Sequence, residues 1–205
     1  MSRNLGVELC HGTLIAFLDS DDRWMPFRLE AQLDILTNHP AARMVCSASV
    51  FWHSWNHNGD HDFVYRIGCP QNRLFSPAEL FGHLYPLADG NPPCPTGIML
   101  YKSAFEKCGG FEIAFSGENQ LYEDQALLNK MYLSEYVYVT GDPDHYYRKR
   151  TDSLTAEALV PATYKRVRLF FLRWFQDYLH KQSALPGSLP EQVARAIRAS
   201  ELLEE

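Results

Sequence analysis

The sequence predicts an α/β fold in which a buried strand delivers carboxylates to a cleft, and three observations point there. Residues 14–18, Leu-Ile-Ala-Phe-Leu, form an unbroken apolar run between Gly12-Thr13 and a polar cluster. Such a run reads as a strand covered on both faces, in the manner of parallel sheets. The cluster that follows, Asp19-Ser20-Asp21-Asp22, sets three carboxylates within four positions. That is where open α/β sheets keep their ligand sites, beyond the carboxyl ends of the strands. Further strand-like runs at 43–51, 96–101 and 136–140 are interleaved with helical patterns at 26–38 and 123–132, the alternation expected of an α/β chain.

The 205 residues suffice for one good-sized domain, or a domain with an appendage, and a hydrophobic share of 46% with 21% charged residues is ordinary for a globular protein. A net charge of −6 argues against a nucleic-acid partner, which calls for basic surface. The five cysteines, Cys10, Cys46, Cys69, Cys94 and Cys108, form no CxxC pair. They speak for a reducing compartment rather than a disulfide framework or structural zinc. No apolar stretch of about 18 residues occurs, and Met-Ser-Arg-Asn does not open a signal peptide. A cytoplasmic protein is expected.

Taken in order, Ser2 is placed to cap a helix over 3–11 with Leu5, Leu9 and Cys10 on its apolar side, closed by Gly12. Pro26 opens a helix to Asn38 whose expected core face is Phe27, Leu29, Leu33, Ile35 and Leu36. Asn58-Gly59, between aromatic-rich runs at 50–55 and 63–67, signals a hairpin. Residues 68–95, punctuated by Pro and Gly, read as an excursion over the sheet rather than part of it. Ser103 caps a short helix, and Gly109-Gly110-Phe111 makes a sharp turn. Glu123-Asp124 open a helix with Leu127, Leu128, Met131 and Tyr132 on one face. After the strand at 136–140, residues 142–150 read as a loop rich in basic and aromatic side chains. A long amphipathic helix at 162–180 and a last one to about 203 complete the chain, giving a core at 1–160 and a helical extension at 161–205. The polar face of the long helix, Lys165, Arg166, Arg168 and Arg173, suits either packing on the domain or peripheral membrane association.

Each candidate cluster has two readings. Hard divalent cations take oxygen ligands and share carboxylates with substrate phosphates, so Asp19, Asp21 and Asp22 are candidates to hold one; helix caps and turns explain the same residues. Glu123-Asp124 suit either a helix start or a catalytic carboxylate. His53, His57 and His61 flank the hairpin tip, where a solvated loop outweighs a metal site.

In sequence order, "SRNLG…HGTLIAFLDSDDRWMPFRLEAQL", "PTGIMLYKSAFEKCGGF", "LYEDQALL" and "YYRKRTDSLT" closely resemble family 2 glycosyltransferases of the GT-A fold, over about residues 2–155. The resemblance implies a GT-A-like, Rossmann-related mixed sheet flanked by helices. It implies inverting transfer of a hexosyl unit from a nucleotide-diphosphate sugar, such as a UDP-sugar, to a saccharide or lipid-linked acceptor in polysaccharide or glycolipid synthesis, at the cytoplasmic face of a membrane or free in the cytoplasm. Roles follow by position. Asp21 would ligate Mn²⁺ or Mg²⁺, Asp19 would serve metal and donor, and Ser20 and Arg3 would lie on the donor side. Asp124 would be the general base, Arg148 and Arg150 a basic loop over the diphosphate, and the Gly109-Gly110-Phe111 turn would face the acceptor. Where many relatives carry His, this chain has Arg150, with His145 a weak substitute.

The resemblance starts at Ser2-Arg3-Asn4, so the family's first, base-binding strands are expected to be missing. That leaves an open sheet edge whose cover would be a homodimer or a partner chain. A catalytically incompetent remnant acting as a binding or interaction module is the alternative.

Overall fold

Two long strands, β3 (Ala42–Trp52) and β7 (Tyr136–Arg148), lie parallel at the centre of the molecule, seen in a computed structural model that describes residues 2–56, 59–150, 161–183, 185 and 187–202. Around them the chain forms α1 (Ser2–Leu9), β1 (Leu14–Ala16), β2 (Arg23–Trp24), α2 (Arg28–Asn38), β4 (Phe63–Tyr65), β5 (Arg73–Phe75), β6 (Ile98–Tyr101), α3 (Lys102–Lys107), α4 (Glu123–Ser134), α5 (Pro161–His180) and α6 (Leu189–Glu201). The seven strands make one mixed sheet with the path β1-β6-β3-β7-β2; β4 pairs with β3, and β5 with β7. Successive residues of a strand face opposite sides. Met44 and Cys46 accordingly join the main core with Leu127, Phe171 and Phe175 from α4 and α5, while Val45 joins Met99 and Leu36 in a smaller cluster under α2. Helices therefore cover both faces.

Several expectations are corrected. The apolar run at 14–18 is not a parallel central strand: β1 pairs antiparallel with β6 at one end of the sheet, and Leu18 is exposed. The excursion at 68–95 contributes β5, hydrogen-bonded to β7 through Arg73–Phe75, so it is partly sheet. The predicted loop at 142–150 is largely the second half of β7, which passes Pro143 at a register shift opposite Ala48; bulges are where a sheet tolerates proline. Ser103 lies inside α3 rather than capping it and accepts a bond from Arg43 at 2.8 Å.

The helices differ from their apolar patterns in an informative way. In α2 the buried residues are Arg28, Gln32 and Leu36, while Phe27, Leu29 and Leu33 stay about half exposed. In α1 only Val7 is buried and Leu5 and Leu9 face outward. Helix α4, by contrast, is buried from Gln125 to Tyr132 on every side, because the sheet and α5 enclose it. The basic side chains of α5 meet protein partners: Arg166 the Asn119 side chain and Glu118, Arg168 Tyr85 and Ser200, and Arg173 Glu201. Among the described residues no helix is long and apolar enough to cross a membrane.

Candidate active site

The cluster Asp19-Ser20-Asp21-Asp22 follows β1, with Asp19 and Ser20 lining cavities, and each carboxylate takes a different partner. Asp19 is bonded by the Arg3 guanidinium, whose other nitrogen bonds Glu123 at the start of α4. Asp21 pairs with Arg150 at 3.2 Å. Asp22 accepts from the Thr96 hydroxyl and from the Arg148 backbone N–H at 3.0 Å. Burial pushes the Asp22 carboxyl up; Thr96 and the Arg148 N–H pull it down, and the charges of Asp19 and Asp21 push it up further. Ser20 is exposed at the rim. Among the described residues no three His, Cys, Asp or Glu side chains gather into a metal cage.

Arg3 is held by α1 itself. Asn4, one position on, exchanges two 2.9 Å bonds with the backbone of Phe111, and the Arg3 guanidinium lies 5.4 Å from the Phe111 ring centre. The Gly109-Gly110-Phe111 turn thus anchors the start of α1 and, with it, Arg3. Gly110 is obligatory there: its φ is +64°, and a Cβ would stand 2.8 Å from the Phe105 ring. Burial lowers the Arg3 guanidinium, but Asp19 and Glu123 outweigh it and hold the group above its ordinary value.

Asp124 stands one residue beyond Glu123, on the first turn of α4. Burial raises its carboxyl to about 6, against the pull of the Gln125 N–H, which donates at 2.7 Å; the Glu123 charge adds to the rise and Arg3 opposes it. A cavity of about 700 Å³ holds Asp124 together with Arg3, Asp19, Glu123, Tyr147 and Arg166. A second cavity, about 420 Å³, continues past Arg3 and Asp19 to Ser20, and a third, about 330 Å³, extends from Asp124 in another direction. The structure therefore brings Asp19, Ser20, Arg3 and Asp124 to connected cavities.

Arg148 is placed differently from the expectation. Its guanidinium lies between the rings of Trp52 and Trp55, 5.1 and 5.0 Å from their centres, and its backbone rather than its side chain serves the carboxylate cluster. His145 is fully buried inside β7 and is no stand-in for a ligand at the cleft. The His53 ring stacks on Phe63 and its backbone N–H donates to Asp62, while His61 is exposed. His57, and residues 151–155 of the last motif, lie outside the described residues.

Sequence reasoning missed two supports. Thr96 ties the Asp19 N–H, at 3.3 Å, to the Asp22 carboxylate, which no local spacing reveals. Beneath the cleft, Asp144 accepts from Arg28, Gln32, Ser47 and His145, all at 2.7–2.8 Å. His145 Nε2 meets Ser49 Oγ at 2.9 Å and Cys94 Sγ at 3.0 Å. Burial lowers the imidazole, but Asp144 and Cys94 prevail and raise it to about 9. The one available signal was the polar stripe Arg28-Gln32 on α2, four residues apart.

A mixed sheet covered by helices on both faces is the frame of a GT-A-like domain, and here it sets Asp19 and the helix-borne Asp124 on one cavity. The chain matches the family described as glycosyltransferase like family 2 over residues 1–186, and it belongs to that family. No curated protein matches it.

Proposed function

We propose that this protein transfers a hexosyl unit from a nucleotide-diphosphate sugar, a UDP-sugar first among the candidates, to an acceptor hydroxyl with inversion. The observation that carries the reading is the single 700 Å³ cavity joining Asp19 and Arg3 to Asp124. The family supports transferase chemistry, and the cavity supplies its two poles.

Asp124 acts as the general base. With its carboxyl raised to about 6 it is ionised at neutral pH yet basic enough to accept a proton. As the acceptor oxygen bonds to the anomeric carbon, its proton passes to Asp124 and the bond from that carbon to the diphosphate breaks. Arg3 offers a guanidinium fork suited to phosphate oxygens, and the nearby Arg150 offers another. Asp19 and Asp21 are the residues to hold Mn²⁺ or Mg²⁺, which when bound stabilises the negative charge of the leaving diphosphate. Their fit rests on the donor set: two carboxylates, 26% and 35% exposed, make only part of a coordination shell. Mg²⁺ is commonly bound through one or two carboxylates with substrate phosphates completing the set. Arg3 and Arg150 occupy these carboxylates here, and a cation taking their place on Asp19 and Asp21 would let the guanidinium groups swing towards the diphosphate.

Calorimetric titration of UDP into the purified chain, with and without Mn²⁺, tests the reading. Manganese-dependent binding is expected, lost in Asp21→Ala. Absence of UDP binding under both conditions overturns it in favour of a binding module without donor chemistry.

A further inference from the structure

The 330 Å³ cavity beyond Asp124 lacks Asp19, Arg3 and Arg150, and its chemistry is of another kind. We propose that it is the acceptor subsite and that it takes an acidic saccharide, a sugar ring bearing a carboxylate or a phosphate. The inference rests on the transferase reading for the word acceptor, but the binding it describes stands without it.

Three features of the lining argue for this ligand. The first is an aromatic wall. Phe51 stacks on Tyr65 at 4.1 Å between ring centres and lies tilted against Tyr147 at 5.4 Å, with Pro92 and Pro93 also lining the space. Flat apolar faces of this kind match the C–H face of a pyranose, and a few polar groups among them fix orientation.

The second feature is Gln125, next to the proposed base. It is 6% exposed, lines this cavity, and its Oε1 is buried without a hydrogen-bond partner. A buried acceptor left unpaired costs free energy that a bound donor recovers. A turn of the side chain towards the cavity it lines lets a ligand hydroxyl donate to that oxygen, which an alkyl chain cannot do.

The third is Lys149, from the residue just after β7. Its Nζ sits 4.7 Å from the centre of Phe51 and 5.4 Å from that of Tyr147, and no carboxylate pairs with it among the described residues. Burial holds its ammonium below its ordinary value. A cation desolvated against aromatic rings gains most from an anion placed beside it. The acidic group that shares this cavity, Asp124, belongs to the reacting end, so the ligand has to bring its own charge.

Saturation-transfer NMR on the full chain, without nucleotide or metal, tests the inference separately from catalysis. The probes are methyl glucoside, methyl glucuronide, glucose 6-phosphate and octyl glucoside. Saturation is expected on ring protons, with at least one of the two acidic sugars binding about tenfold more tightly than methyl glucoside. Lys149→Met should remove that preference, and Gln125→Leu should weaken all the sugars several-fold. Equal or weaker binding of both acidic sugars overturns the proposal, and that comparison needs no variant. Saturation confined to the octyl chain would overturn it in favour of a lipid acceptor. In a second titration with UDP added, displacement of the UDP base protons by the sugars would assign the cavity to the donor and overturn the proposal. Failure of UDP to bind at all, with acidic sugars still bound, would sink the transferase reading and leave the saccharide site standing.

Discussion

The carboxylate at Asp144 and the carboxylates at Asp19 and Asp21 are built on opposite terms. Asp144 is 3% exposed and accepts four side-chain donors, two of them the cationic Arg28 and His145. Asp19 and Asp21 are about a quarter and a third exposed, and each has one arginine. A buried ion pair cannot exchange partners without leaving a charge stranded. A half-exposed one exchanges at small cost, because water covers the loss. The first arrangement locks β3, β7 and α2 together under the cleft; the second keeps charge available to a ligand. Asp124 lies between the two, desolvated enough to be raised to about 6 but open to the cavities.

The largest expected effect is on the intermediate case. Asp124→Asn should lower transfer by about two to four powers of ten, the usual worth of a general base, or about 3–5 kcal/mol of barrier. Wild-type transfer should rise with pH through about 6 as the base ionises. Stability should run the other way. The folded carboxyl, at about 6 against an ordinary 3.8, binds a proton that the unfolded chain has lost, so stability falls as pH rises through that window. The asparagine variant should escape that fall and gain on the order of 2 kcal/mol at pH 7 relative to wild type. Urea unfolding of both proteins at pH 4 and 7 measures it; a variant equally destabilised at both values would mean that Asp124 is structural.

Next comes the closed cluster. Arg28→Met strands Asp144 with His145, Gln32 and Ser47, and the expected loss is about 3–5 kcal/mol in denaturant unfolding. A change below about 1 kcal/mol would erase the distinction between the two clusters.

How much of this the sequence disclosed follows the same line. The open cluster was legible because its residues are adjacent: Asp19, Ser20 and Asp21 end an apolar run, and Glu123-Asp124 begin a helix. The closed cluster was not, because its partners are 116 residues apart, and nothing at Arg28 announces Asp144. That hidden pairing also explains the misread face of α2. Phe27, Leu29 and Leu33 outweigh Arg28 and Gln32 on any hydrophobicity scale, yet the polar pair is buried because Asp144 compensates it. The second half of β7 was hidden by composition: His145, Arg148 and two tyrosines around Pro143 look like loop, but β3 and β2 supply neighbours on either side. Periodicity reports what a segment does for the nearest apolar core, and it is silent where the core is a salt bridge.

The smallest expected effect is the sharpest test of the contrast. Asp21→Asn removes the 3.2 Å pair with Arg150, which in an exposed setting is worth about 0–1 kcal/mol. It also removes a charge that helps push the Asp22 carboxyl up, so relief of that repulsion offsets part of the loss. The net change in unfolding free energy should stay within about 1 kcal/mol of zero, of either sign. Manganese-dependent UDP binding should nonetheless disappear, since a neutral amide is a poor ligand for a hard dication. Stability retained with binding lost is what a charge reserved for a ligand predicts. A loss of several kcal/mol would place Asp21 with Asp144, among the charges that hold the fold.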